Sequence, residues 1–436
     1  MEILSEAVSE KAVDCTVLER HGSEHFQVGV SEMNGWRPSM EDAHVIHLQN
    51  DGGYFGILDG HGGAQCSAWC AKSFHEKLHA NGLPANDAAA KDLCLKIDQA
   101  YRDSDTGHIS GSTGAMCIVR PPTNQGETKD TNDGGGRYKI HVINVGDSRV
   151  LLSQADGTMI VGPGTDGGHT TDHKPGLPSE RERIERTGGM VEARQQDGVL
   201  GVNGSLAVSR SFGDAYYKRT GGPGLEDHPV TANPEMGHFE CNVSDFVLVV
   251  CDGVSEGNFP NAKVCQLAAK VLNETGGDAA AAAEAICIKS VEMGSKDNIS
   301  AMIILLGPAT DQTFISLGKT LEFNPGTNLK GTHSAKYIEA YTAMCVRGGV
   351  TFSEPDAAMI NADIIGTHSA KYIEAYTAMY ERDGVTFSEA EAAMCSNADI
   401  FTISERVPIN NIEGVIFEQT EPLSNAQADS ILNPDY

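Results

Sequence analysis

The chain has 436 residues, a formal net charge of −28 and 40% hydrophobic content. That length allows one large domain with an extension, or two domains, and a sizeable core. The acidic balance argues against a general nucleic-acid or anionic-membrane binder, and no stretch approaches the roughly 20 apolar residues that span a bilayer.

The opening Met1-Glu2-Ile3-Leu4 reads as neither a secretory signal nor a myristoylation site. The 11 cysteines, odd in number and without disulfide-scaffold spacing, predict free thiols in a reducing compartment. The expected location is cytoplasmic, with nuclear residence left open. Residues 1–25 read as a polar lead-in with room for one short helix, and 26–30 alternate as a strand. In the stretch from Asn34 to His44, the Arg37 guanidinium fork matches phosphate oxygens, although an arginine near Glu41 and Asp42 also suits a surface ion pair.

Residues 54–58 form a short apolar run that enters Asp59-Gly60-His61-Gly62-Gly63. The run predicts a buried strand, and the glycines let the backbone turn sharply and approach a ligand. Asp59 then stands at a strand end, where a carboxylate can face a cleft, and His61 can serve the same cleft. Helices are predicted over 65–79 and 88–101, and a turn becoming a strand from Gly111. A polar, Gly-rich loop over 121–137 precedes an apolar run, 138–145, that ends in Gly146-Asp147-Ser148-Arg149.

Residues 162–168 read as a flexible loop. Ser179 is the expected N-cap of a helix over 179–186, which Gly188 and Gly189 stop. Residues 216–235 read as a mobile loop near the site. The run from Phe246 to Cys251 enters Asp252-Gly253, helices follow over 264–272 and 279–293, and Asp297-Asn298 precedes the apolar run 299–306. Each of these apolar runs carries an aspartate at one end. If neighbouring strands bring those ends to one rim, the carboxylates repel and need cations between them. Oxygen-only ligation suits Mg²⁺ or Mn²⁺ rather than zinc.

Composition changes after Gly307. Residues 331–344 recur unchanged as 366–379, and 349–354 recur as 384–389. Tyr337, Tyr341 and Met344 fall on one helix face, and Ser353 can cap a second helix, so each unit reads as a helical hairpin. The duplication suits either a purely structural role or a binding or regulatory surface.

The motifs Arg37-Pro38-Ser39-Met40-Glu41-Asp42, Phe55 to Gly63, Gly111-Ser112-Thr113, Val145 to Arg149, Asp172-His173-Lys174-Pro175, Leu206 to Arg210, Cys251-Asp252-Gly253-Val254 and Gly294 to Asn298 occur in this order. Together they resemble the metal-dependent Ser/Thr protein phosphatases of type 2C, over about residues 20–307. The resemblance implies an α+β fold: a four-layer αββα sandwich of two antiparallel sheets flanked by helices, here with a helical C-terminal extension. The implied divisions are a lead-in over 1–25, a catalytic domain over 26–310, and an extension over 311–436 with hairpins at 331–365 and 366–400.

The resemblance also implies a phosphoric monoester hydrolase acting on phosphoserine and phosphothreonine proteins. Its centre would hold two core Mg²⁺ or Mn²⁺ ions and a weaker third, and activate water for direct attack. On that likeness Asp59 bridges both core ions, and Asp252 and Asp297 hold the first. Glu41 and the Gly60 carbonyl hold the second, Asp42 holds a metal-bound water, and Asp147 joins Asp252 at the third. Arg37 would contact the substrate phosphate and His61 would be the general acid. Ser255 and Gly114 depart from the common Trp or Phe and Ala, and neither removes a ligand. Residues 176–235 correspond to the family's variable flap. A monomer is expected, with a protein partner or autoinhibitory contact through the repeated tail. The alternative is a phosphatase-fold scaffold or pseudophosphatase acting through that tail.

Overall fold

Alternation along the strands gives each sheet two apolar faces, and the chain covers them with four layers. The computed structural model describes residues 12–37, 39–104, 110–122, 137–308, 319–324 and 408–409. The duplicated hairpins at 331–365 and 366–400 lie outside the described residues.

One antiparallel sheet contains β1 (Val13–Gly22), β2 (Phe26–Gly35), β9 (Arg149–Ser153), β10 (Met159–Ile160), β15 (Phe246–Val250), β16 (Ile299–Leu306), β17 (Lys319–Asn324) and β18 (Pro408–Ile409). Its order is β10-β9-β15-β16-β2-β1-β17-β18. The second contains β3 (Ala43–Gln49), β4 (Gly52–Leu58), β7 (Gly114–Arg120), β8 (Tyr138–Val145) and β14 (Glu235–Cys241), in the order β14-β8-β7-β4-β3. A small sheet of β5 (Gly60–His61), β6 (Gly111–Ser112) and β13 (Phe212–Gly213) sits at the rim, and β11 (Val191–Ala193) pairs with β12 (Leu200–Val202).

Period-2 alternation sorts the core. Val247 and Val249 of β15 point between the sheets, with Val28, Phe55, Val142 and Ile304. Phe246, Leu248 and Val250 point the other way, against helices α5 (Asn261–Thr275) and α6 (Ala279–Glu292). The outer face of the second sheet is covered by α1 (Gln65–Asn81) and α2 (Asp87–Arg102), through Phe74, Leu78, Cys94 and Tyr101. This is the predicted αββα sandwich. No helix among the described residues is long and apolar enough to cross a membrane.

Helix α6 begins with five alanines, so its backbone approaches β2 closely. A Cβ on Gly29 would stand 2.0 Å from the Ala280 nitrogen, which leaves room only for glycine. Asp278 caps α6 by accepting from Ala280 N and Ala281 N, both at 3.1 Å.

Several local expectations change. The polar lead-in gives way at Val13–Gly22, which is strand β1. Its polar side chains are met by helix α6: Arg20 donates to both oxygens of the cap residue Asp278 at 3.0 and 2.9 Å, and Thr16 Oγ1 donates to Glu284 Oε1 at 2.6 Å. Backbone pairing of β1 with β17 carries the first sheet beyond residue 310. Helix α3 (Pro178–Arg186) starts one residue before Ser179, with Leu177 at the N-cap and Pro178 in its first turn, where a missing N–H costs nothing. The loop 162–168 contains a 3₁₀ turn, Thr165–Gly167, tied by Gly162 N to Gly167 O at 2.7 Å and Gly164 N to Gly168 O at 2.9 Å.

Candidate active site

The ends of β4, β8, β15 and β16 meet at one rim, and each delivers the aspartate found there in the sequence. Asp59 follows β4, Asp147 follows β8, Asp252 follows β15 and opens the short helix α4 (Asp252–Ser255), and Asp297 precedes β16. Asp42, just before β3, is buried in the same place and accepts from Ser300 Oγ at 2.7 Å.

These carboxylates feel one another. Burial, then the charges of Asp252, Asp42, Asp297 and Asp147, holds the Asp59 carboxyl well above the usual carboxylate range. Burial, with Asp147 and Asp297, pushes Asp252 up to about 8. Asp252 N lies 3.5 Å from Asp59 Oδ2. The carboxylates do not close to the mutual spacing, within 4.8 Å, of a compact ligand group found elsewhere in the molecule. Such an opening suits Mg²⁺, which keeps several waters and takes few direct carboxylates. Buried, mutually repelling oxygen donors of this kind fit a hard divalent cation.

Glu41 and Gly60 are neighbours. A Cβ on Gly60 would stand 2.1 Å from the Glu41 carbonyl oxygen, so a glycine is required for this approach. Ser67 Oγ of α1 donates to the same carbonyl. Asn298 brackets the segment from Asn34 to Glu41: its Nδ2 donates to Asn34 O at 2.8 Å and Ser39 O at 2.9 Å, and its Oδ1 accepts from Glu41 N at 2.9 Å. Arg37 pairs through Nη2 with Asp297 Oδ2 at 2.5 Å, and half of its side chain is exposed at the rim. The ion-pair reading of Arg37 is thus met by Asp297.

His61 lies beside the rim with Nε2 at 2.7 Å from Asp214 Oδ2. Burial alone would lower the imidazole pKa, but the Asp214 carboxylate more than offsets this and raises it. Asp214 also accepts from Ser211 Oγ at 2.6 Å. It adopts a left-handed backbone, φ 49°, at the end of β13. Sequence reading missed it because it lies 153 residues from His61; a small acid able to adopt αL after Phe212-Gly213 was the available signal.

The Asp172-His173-Lys174-Pro175 motif, to which the sequence assigned no role, fixes the Asp147 turn. Asp172 accepts from Arg149 Nε at 3.0 Å and Nη2 at 2.8 Å. His173 Nδ1 accepts from Gly146 N at 3.0 Å, and Lys174 Nζ pairs with Asp147 Oδ2.

A family model described as Protein phosphatase 2C matches residues 26–299. The chain is 29% identical over 294 residues to Protein phosphatase 2C homolog 1 of Saccharomyces cerevisiae, covering 64% of this chain and 94% of that protein. It is 29% identical over 321 residues to Protein phosphatase 1A of Homo sapiens, covering 67% of this chain and 75% of that one. A crystal structure of a phosphatase from Toxoplasma gondii superposes with a TM-score of 0.58 at 26% identity, covering 71% of this chain and 99% of that one. A C. elegans sex determining protein, at TM-score 0.51 and 22% identity over 65% of each chain, shares the fold.

Proposed function

Because the chain belongs to the protein phosphatase 2C family, and is thus a metal-dependent Ser/Thr phosphoprotein phosphatase, we propose that the aspartate rim is its reaction centre and that water attacks phosphorus directly there. The observation that carries this reading is the gathering of Asp42 and Asp147, which are buried, with the partly exposed Asp59, Asp252 and Asp297 around a common opening, the other four all within the field of Asp59. Asp59, Asp252, Asp297, Glu41 and the Gly60 carbonyl would hold two core Mg²⁺ or Mn²⁺ ions, and Asp147 with Asp252 a weaker third. When bound, such ions lower the pKa of water and neutralise charge on phosphoryl oxygens.

The chain's own groups do the rest. Arg37, half exposed at the rim, presents its guanidinium to the phosphate oxygens. Asp214 occupies His61 Nε2 and favours the imidazolium, so the proton for the departing serine or threonine oxygen leaves from Nδ1. Asn298, next to Asp297, ties down the segment from Asn34 to Glu41 that carries Arg37. This route requires no cysteine nucleophile.

The test is His61→Ala on two substrates. Loss of a general acid lowers kcat by about 100- to 10,000-fold on a phosphothreonine peptide. An aryl phosphate, whose leaving group needs less protonation, loses less. Near-wild-type turnover of the peptide would refute the role of His61. We also propose cytoplasmic or nuclear residence, supported by the free, buried thiols of Cys66, Cys94, Cys117 and Cys251; a tagged protein found in the secretory pathway would overturn it.

A further inference from the structure

Far from the rim, the outer face of the second sheet carries a second group of ligand-type side chains. His141 of β8 and His238 of β14 are directly opposite in the antiparallel register, on the face covered by α2. Their rings stack with centroids 4.3 Å apart and planes at 16°. Asp87, the first residue of α2, projects its carboxylate between the two Nε2 atoms. Oδ1 lies 2.7 Å from His238 Nε2 and 3.1 Å from His141 Nε2. The three ligand atoms all lie within 4.8 Å of one another.

His141 is 5% exposed, and its Nε2 is a buried atom without a hydrogen-bond partner despite the nearby oxygen. A buried imidazole beside a second imidazole is held in the neutral form, which is the ligand form. One Asp87 oxygen stands near both rings, yet the buried His141 Nε2 makes no hydrogen bond to it. A tetrahedral ion serves all three: bonds of about 2.0–2.2 Å from zinc to nitrogen and oxygen place ligand atoms on the order of 3.3 Å apart. The two carboxylate–imidazole separations need only a small outward movement, and the stacked rings must splay so that both Nε2 lone pairs reach the ion.

From this geometry we propose that Asp87, His141 and His238 form a binding site for a late first-row divalent cation, Zn²⁺ foremost, distinct from the Mg²⁺ or Mn²⁺ centre. Two imidazoles and one carboxylate suit zinc, whereas hard Mg²⁺ takes oxygen ligands. Three protein ligands leave a fourth position for water. With a rise of about 3.3 Å per residue, β8 carries His141 on the order of 20 Å from Asp147, so the two centres share no ligand. Bound metal would staple the start of α2 to β8 and the edge strand β14.

The experiment uses the full chain with Mg²⁺ saturating, titrated with Zn²⁺ alone. Bound zinc is counted after dialysis, and thermal unfolding is followed with and without EDTA. Wild type should bind one zinc equivalent more than His238→Gln or Asp87→Ala, whatever other sites contribute to all three. Zinc at about 100 times its Kd should raise the wild-type Tm by at least about 3 °C and leave both variants unmoved. His238 and Asp87 are exposed, so both variants should match wild type in Tm under EDTA and in Mg²⁺-dependent phosphatase turnover. Equal zinc content in the three proteins, or a zinc-dependent Tm rise that survives in His238→Gln, would overturn the proposal.

Discussion

At the scale of residues, burial and charge act on His61 in opposite senses, and Asp214 decides the outcome. The contact makes Asp214 a positioning residue for the proton donor. Asp214→Asn should lower kcat on a phosphothreonine peptide by about 10- to 100-fold and spare KM, with a smaller loss on an aryl phosphate. Equal losses on both substrates would mark a merely structural contact. His61 and Asp59 were legible in the sequence because they share one short strand-and-turn segment. Asp214 was not, because nothing local records a partner 153 residues away. Glu180 gives the clearest pH effect. Burial opposes its charge, yet Arg210, Arg183 and Ser209 bring its carboxyl down to about 2 from the ordinary 4.5. A depressed carboxyl stabilises the fold above its unfolded pKa, and that stabilisation is lost as pH falls from about 4.5 toward 2. The contribution is on the order of 3 kcal/mol. Urea unfolding across that window should show wild type losing stability more steeply than Glu180→Gln.

At the scale of elements, the site depends on joints between strands rather than on any one strand. Asn298 joins the start of β16 to the segment between β2 and β3 with three hydrogen bonds to backbone. Asn298→Ala would leave buried backbone groups unpaired and should destabilise by about 2–4 kcal/mol, read from the urea midpoint at unchanged m-value. The Asp172-His173-Lys174 segment plays the same part for the turn at Asp147. Both motifs stood out in the sequence, but their work is hydrogen bonding across the chain, which spacing cannot express. The apolar runs of β4, β8, β15 and β16 were legible because burial on both faces leaves a continuous hydrophobic record. Strands β1 and β14 were not. β1 carries Glu19, Arg20 and His21 among its apolar residues, and each finds a polar partner in the folded chain: Glu19 Oε1 and His21 Nε2 lie 2.5 Å apart, and Arg20 meets Asp278.

At the scale of the whole molecule, the sandwich explains why aspartates scattered from 42 to 297 converge. Facing sheets bring the ends of β4, β8, β15 and β16 to one rim, and the inter-sheet core of Phe55, Val142, Val249 and Ile304 fixes that convergence. The layer count and the rim were expected from the motif order; the fit of α6 onto Gly29 was not, since it depends on the backbone distance between layers. Gly29→Val should therefore destabilise the whole domain by several kcal/mol and lower Tm, although Gly29 touches no site residue. The central claim is that the rim aspartates form a metal-dependent phosphatase centre. Its most direct measurement is hydrolysis of a phosphothreonine peptide in Mn²⁺, Mg²⁺ or EDTA, by wild type and by Asp252→Asn shown to be folded. The account predicts turnover that requires a divalent ion, disappears in EDTA, and falls at least about 100-fold in the variant. Turnover that persists in EDTA, or that Asp252→Asn leaves intact, would contradict it.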